Sequence, residues 1–239
     1  MSRRNAEPSA IGRPIWKHLE IIIARGHDRG RVFEDWLDLM LAAQLSLSDN
    51  MSRGNIEAIR LNKMDGEYED RYMLIVRRYA DDRPSGERAV DHFTAAFHEL
   101  VTATEQHGDV LGDLFENCIS FGEHGQFFTP VHLTEMIAQL MDPSDGEGVS
   151  DPACGSGRTL IAAGRQNPSL SLYGADLDPR CAKMTVLNFL MLGLHGQVTW
   201  GNTLSMEEYK TWAVTEDGFV YEHDAPKRSA TGQAELFAA

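Results

Sequence analysis

A chain of 239 residues can form one large or two small domains, and 42% hydrophobic residues are enough to fill a buried core. With 22 basic against 36 acidic side chains the formal charge is −14, which excludes the broad basic surface of a protein that grips nucleic acid unaided and leaves any DNA contact to a local patch or a partner. Three cysteines without CxxC spacing argue against a disulfide framework or zinc knuckle, and neither an apolar leader nor an apolar run of roughly 18 residues is present, so a reducing cytoplasm without a membrane span is expected.

Residues 1–13, rich in Ser, Arg, Ala and Pro, read as a mobile arm. Ile15, Leu19, Ile22 and Ile23 then recur at helical spacing. After Gly26–Gly30, a stronger amphipathic helix carries Val32, Phe33, Trp36, Leu37, Met40, Leu41 and Leu45. Two further helices are predicted over 64–79 and 90–104, separated by a turn at Pro84–Gly86. Residues 14–120 therefore form a helical subdomain, whose aromatic and methionine positions are bundle core rather than a cofactor box. Histidines 92, 98, 107, 124 and 132 show no metal-ligand spacing with the cysteines.

A loop, FGEHGQFFTP (121–130), opens the second region, 121–212. Thr129 is expected to cap the next helix, Pro130 to sit in its first turn, and Leu133, Ile137, Leu140 and Met141 to be its buried face. A short strand then runs into the turn DPACGSG (151–157), followed by a helix through Gly164, a strand 170–175, a helix 179–194 and a strand 197–201. That alternation predicts an α/β fold with a parallel sheet and right-handed crossovers. Beyond Trp212 periodicity fades, and 213–239 reads as an irregular tail.

In the central turn, Gly155 and Gly157 let the backbone approach a ligand closely. The turn matches neither the dinucleotide fingerprint, because Leu160 stands where a third glycine or alanine belongs, nor a Walker loop, because no Gly-Lys-Ser/Thr follows. Asp151 would repel a pyrophosphate but suits a ligand carrying a sulfonium and an ammonium, as S-adenosylmethionine does. Asp176 follows the second strand, 19 residues after Gly157, where a carboxylate can accept both ribose hydroxyls. Asn202 follows the third strand, where its amide suits an adenine edge. Taken singly, Asp176 and Asn202 are equally well read as strand-end turn residues.

Residues 122–204 resemble the cofactor half of adenine-specific (N6) DNA methyltransferases, especially the modification subunits of type I restriction systems. The resemblance rests on GQFFTP (125–130), DPACGSG (151–157), YGADLDP (173–179) and GNTL (201–204), in the family's order. It implies a partial Rossmann-like S-adenosylmethionine-dependent methyltransferase sheet preceded by the helical subdomain. It also implies that Phe128, Thr129 and Pro130 close over the methionine end and that Asp151, Pro152, Ala153, Cys154, Gly155 and Gly157 cradle it. Asp176 would hold the ribose and Asn202 the adenine, although the family more usually has aspartate at the last position. The implied partners are DNA, reached through a partner subunit, and a specificity or complementary methyltransferase subunit.

One departure stands out. The family carries an Asn/Asp-Pro-Pro-aromatic motif after a fourth strand, where polar groups accept the hydrogens of the flipped base's amine and the aromatic stacks on it. This sequence contains no such tetrapeptide; its one degenerate candidate is Asp224-Ala225-Pro226-Lys227, with Asp224 and Pro226 as weak catalytic candidates. The sequence thus leaves two readings: a methyltransferase that is truncated or acts within an assembly, and a catalytically inactive, donor-binding regulatory or structural subunit. If the candidate works, Phe219–Tyr221 must add to the sheet beside the central strand; otherwise residues beyond Trp212 should be exposed. The second outcome is the one expected.

Overall fold

The computed structural model describes residues 7–61, 63–64, 66–120 and 128–224. Its order is α1 (Arg13–Ile23), α2 (Arg29–Ser52), α3 (Ile56–Arg60), α4 (Gly66–Arg78), α5 (Ala89–His107), α6 (Val110–Phe115) with a π-helical turn at Glu116–Ser120, and α7 (Val131–Met141). There follow β1 (Gly148–Asp151), α8 (Arg158–Gln166), β2 (Ser171–Asp176), α9 (Pro179–Leu192), β3 (Gly196–Asn202), β4 (Glu207–Val214) and β5 (Val220–Asp224).

The helices form where the apolar period requires them. Ile15, Trp16, Leu19 and Ile22 bury one stripe of α1. Asp28 caps α2 by accepting from Arg31 N. Trp36 is buried and its indole donates to the Phe93 carbonyl (3.2 Å), so the large ring joins α2 to α5 without stranding a donor. The helical core continues into α9 through Cys181, Met184 and Leu187, while Leu41 and Leu45 of α2 pack into the core beneath the sheet. Helix α2 therefore contributes to both cores.

The sheet has strand order β1-β2-β3-β4-β5. Strands β1, β2 and β3 pair in parallel through crossovers α8 and α9, whereas β4 and β5 return antiparallel. Val149, Leu172, Val198, Trp212, Val214 and Val220 are buried on one face; on the other, Ser150, Tyr173 and Gln197 are exposed. Among the described residues β1 pairs on one side only.

Three expectations are corrected. Residues 213–224 are not an irregular tail: β4 runs to Val214, β5 follows, and Val220 is buried, with its N–H donated to Ser48 Oγ of α2 (2.9 Å). As expected, Phe219–Tyr221 does not add beside β1, since β5 pairs with β4 at the opposite edge. In α7 the cap is Pro130 itself, without a side-chain cap bond, and the fully buried residues are the small Thr134 and Ala138. Leu140 is 76% exposed and Met141 is exposed, because α7 packs closely on α8 through its small-residue stripe. The loop residues 121–127 and Pro226 lie outside the described residues.

Candidate functional site

The turn between β1 and α8 depends on two residues in the left-handed region, Gly155 (φ +57°) and Gly157 (φ +86°). A Cβ on Gly155 would stand 2.8 Å from the Phe128 ring, and one on Gly157 2.8 Å from Thr185 Cγ2. Only glycine meets both the torsion and the spacing at either position.

Four N–H groups of this turn are taken up by acceptors of the protein itself. Ala153 N donates to Asp151 Oδ1 (3.1 Å), Cys154 N to the Ala175 carbonyl (2.9 Å), Gly155 N to Asp176 Oδ2 (2.9 Å) and Gly157 N to the Cys154 carbonyl (2.8 Å). An anion-binding loop instead aims such donors at its ligand. Carboxylates supply the local field here, Asp151 and Asp176 standing at the ends of adjacent strands. Asp176 Oδ1 also accepts from Asp178 N (2.8 Å). Burial raises the pKa of Asp176, and the charges of Asp178 and Asp151 add to that effect; the two backbone hydrogen bonds oppose it without cancelling it. A carboxylate held in such a setting is relieved by a cation placed beside it.

Phe128, Thr129, Asp151, Ala153, Cys154 and Gly155 line one small cavity of about 50 Å³, together with Ser156, Arg158 and Thr159. Asp176 borders a separate hollow of about 760 Å³, formed with the start of α2 and the β2–α9 link. The bond from Gly155 N to Asp176 joins the two. Pro152 belongs to the same rim, its carbonyl accepting from Thr203 Oγ1 (3.1 Å) and so drawing the end of β3 toward the turn. Gly157 is the N-cap of α8, and Pro130 is exposed at the start of α7.

Asn202 ends β3, but its Oδ1 accepts from Leu204 N (3.0 Å) and Ser205 N (3.3 Å), closing the turn into β4. Asp224 stands exposed at the end of β5, paired with Lys210 (3.4 Å), at the sheet edge opposite β1. Cys154 is buried, and burial pushes its thiol up to about 12, so it stays protonated and unreactive at neutral pH.

Sequence reasoning missed the residues that hold the turn from behind. On α9, Thr185 Oγ1 donates to the Gly155 carbonyl (2.9 Å), and Asn188 Nδ2 to the Ser156 carbonyl (2.9 Å). Three residues apart on one helix, they share a face. Arg158 lies 5.1 Å from the centre of the Phe128 ring, which stacks on Phe115 at 5.8 Å. The two bonds from α9 bridge 30 or more residues of chain, a separation that leaves no local pattern.

Residues 106–221 match the family described as N-6 DNA Methylase. A type I restriction enzyme MjaVIII methylase subunit from Methanocaldococcus jannaschii is 34% identical over 100 residues, covering 38% of this chain and 17% of that protein. The MjaIX methylase subunit of the same organism is 28% identical over 159 residues, covering 61% of this chain and 28% of the relative. The chain thus spans well under a third of either relative's length. A crystallised modification subunit assigned to a type I restriction enzyme of Vibrio vulnificus aligns with 85% of this chain and 58% of its own, at 15% identity and a TM-score of 0.49, too distant to carry an argument.

Proposed function

We propose, from the match of residues 106–221 to the N-6 DNA methylase family, that this chain forms the methyl-donor half of an adenine-N6 DNA methyltransferase. The donor is S-adenosylmethionine. The observation that carries this reading is the pairing of a glycine turn, four of whose N–H groups are already bonded within the protein, with two strand-end carboxylates, Asp151 and Asp176. That combination disfavours a phosphate and favours a sulfonium with an ammonium. Gly155, which leaves room for no side chain beneath Phe128, fits the close backbone approach that such a ligand needs. Asp151 and the turn would hold the methionine end, and Asp176, with lone pairs beyond its two backbone bonds, would accept the ribose hydroxyls. When bound, the donor supplies an electrophilic methyl group.

The chain's own part is to hold and orient this donor. Catalytic groups for the acceptor amine are not assigned to this chain: the family's tetrapeptide is absent from the sequence, and Asp224 sits at the wrong edge of the sheet. The groups that act on the acceptor adenine are supplied by a partner subunit, within a restriction-modification assembly in the cytoplasm. DNA is reached through that partner, in keeping with the −14 charge. Tritiated donor and mixed-sequence DNA, with the chain alone and with modification and specificity subunits added, test this reading. Label should reach DNA only in the reconstituted mixture; no transfer in any combination removes the catalytic claim.

A second reading, donor binding without transfer, is favoured by one observation. The hairpin β4–β5 fills the far edge with a structural ion network, so among the described residues none at the end of β5 is poised for chemistry. Donor binding accompanied by label-free DNA in every mixture would select it.

A further inference from the structure

The donor turn is gripped by a residue of the helical region. We infer that Asp109 is a positioning residue that fixes the turn from outside the sheet and makes donor affinity depend on the docking of α6; this rests on the donor-binding reading above. Asp109 caps α6 through Oδ1, which accepts from Gly112 N (2.8 Å). A cap needs no more than that. The same carboxylate, its side chain 4% exposed, takes three further donors: Asn188 Nδ2 (2.8 Å), Ser156 Oγ (2.5 Å) and Arg158 Nε (2.6 Å). Ser156 lies between the two turn glycines and Arg158 is the first residue of α8.

Asn188 closes the circuit, since the amide that donates to Asp109 also donates to the Ser156 carbonyl. Ser156 is therefore held at its hydroxyl and at its backbone by one connected set of groups from α6 and α9. Gly112 shows how closely the parts fit: a Cβ there would meet Asp109 Oδ2 at 2.1 Å and Ser156 Oγ at 2.3 Å. Arg158 extends the link to Glu116 (3.2 Å) and to the Thr129 carbonyl (3.4 Å). The helical region thereby reaches both the turn and the Phe128–Thr129 wall of the small cavity. A buried carboxylate that serves four donors loses its geometry sharply when one oxygen becomes an amide nitrogen, because two donors then face a donor.

The test uses the full chain as Asp109→Asn and Ser156→Ala, with Asp113→Asn as a control. Asp113 lies on α6 and accepts from Ser9 Oγ and Asn117 Nδ2, away from the turn. S-adenosylmethionine affinity by calorimetry, amide exchange at 154–158 and thermal midpoints are compared. Asp109→Asn should weaken donor binding by on the order of tenfold or more and speed exchange at the turn. Ser156→Ala should do both to a smaller degree, and Asp113→Asn should move the midpoint alone. Wild-type affinity and turn exchange in Asp109→Asn and Ser156→Ala overturn the inference; where Asp109→Asn does not fold, Ser156→Ala decides. If the wild type binds no donor, the donor reading fails instead, and turn exchange in the two variants still judges the link.

Discussion

The two edges of the sheet are built on different principles. At the β1 edge, backbone geometry sets the structure: two left-handed glycines, four N–H groups bonded within the protein and carboxylates bonded to main chain. At the β5 edge, side-chain charge sets it. Glu222 lies beneath the hairpin and accepts from Arg71 of α4 (2.7 Å), Lys210 of β4 (2.8 Å) and the Trp212 indole (2.9 Å). Burial disfavours the Glu222 carboxylate, yet the bonds from Arg71 and Lys210 outweigh it, so its pKa lies below the ordinary glutamate value. The first edge tolerates no added atoms at its glycines and leaves two carboxylates, Asp151 and Asp176, bonded only to backbone N–H groups; the second spends its charges on itself. A site can therefore occupy one edge, and an anchor the other.

Breaking the anchor should cost most. Glu222→Ala strands two cations and an indole at a partly buried junction, and a loss on the order of 3 kcal/mol in chemical denaturation is expected. Donor affinity per folded molecule should hardly change, which would separate the two edges; a parallel loss of affinity would join them. The pH dependence has a definite sign. Because Glu222 is depressed when folded, its stabilisation is present above the unfolded glutamate pKa and is lost as pH falls through the lower folded value. Acid unfolding should accordingly begin at the hairpin, seen as early amide exchange in β4 and β5.

Gly157→Ala attacks the other edge. It combines a positive φ with a 2.8 Å approach to Thr185, and roughly 1–3 kcal/mol of destabilisation is expected, with loss of donor binding. Gly193 is also at positive φ, but a Cβ there would meet no atom within 4 Å, so it isolates the torsional part: Gly193→Ala should cost about 1 kcal/mol and leave binding intact. The smallest effect belongs to Leu140→Gln, within about 0.5 kcal/mol, since that side chain is 76% exposed.

The same contrast explains what could be read from the sequence. Helices α1, α2 and α5 and strands β1 to β3 carry apolar residues at regular spacing because each has one face on a core. Asp151, Asp176 and the glycine turn follow from position at strand ends. The hairpin β4–β5 escaped notice because Lys210 and Glu222, on its covered face, break the apolar alternation, and the pairing of Glu222 with Arg71 depends on a helix 151 residues earlier in the chain. Helix α7 misled in the opposite way: small Thr134 and Ala138 pack on α8, and the larger apolar residues lie outside. Asp109 was not singled out in the sequence, because its three donors beyond the α6 cap are set by tertiary packing.

The raised pKa of Asp176 adds a pH dependence to binding. As pH falls through that raised value the carboxylate is neutralised, so affinity for a cationic donor should begin to decline at a higher pH than an unperturbed aspartate would set. The central claim, that this turn and its carboxylates receive S-adenosylmethionine, is tested most directly by calorimetric titration at neutral pH with that donor and, separately, with ATP. The expected result is saturable donor binding that disappears in Asp176→Ala, with no heat from ATP. Binding of ATP in preference to the donor, or donor binding unchanged in Asp176→Ala, would contradict it.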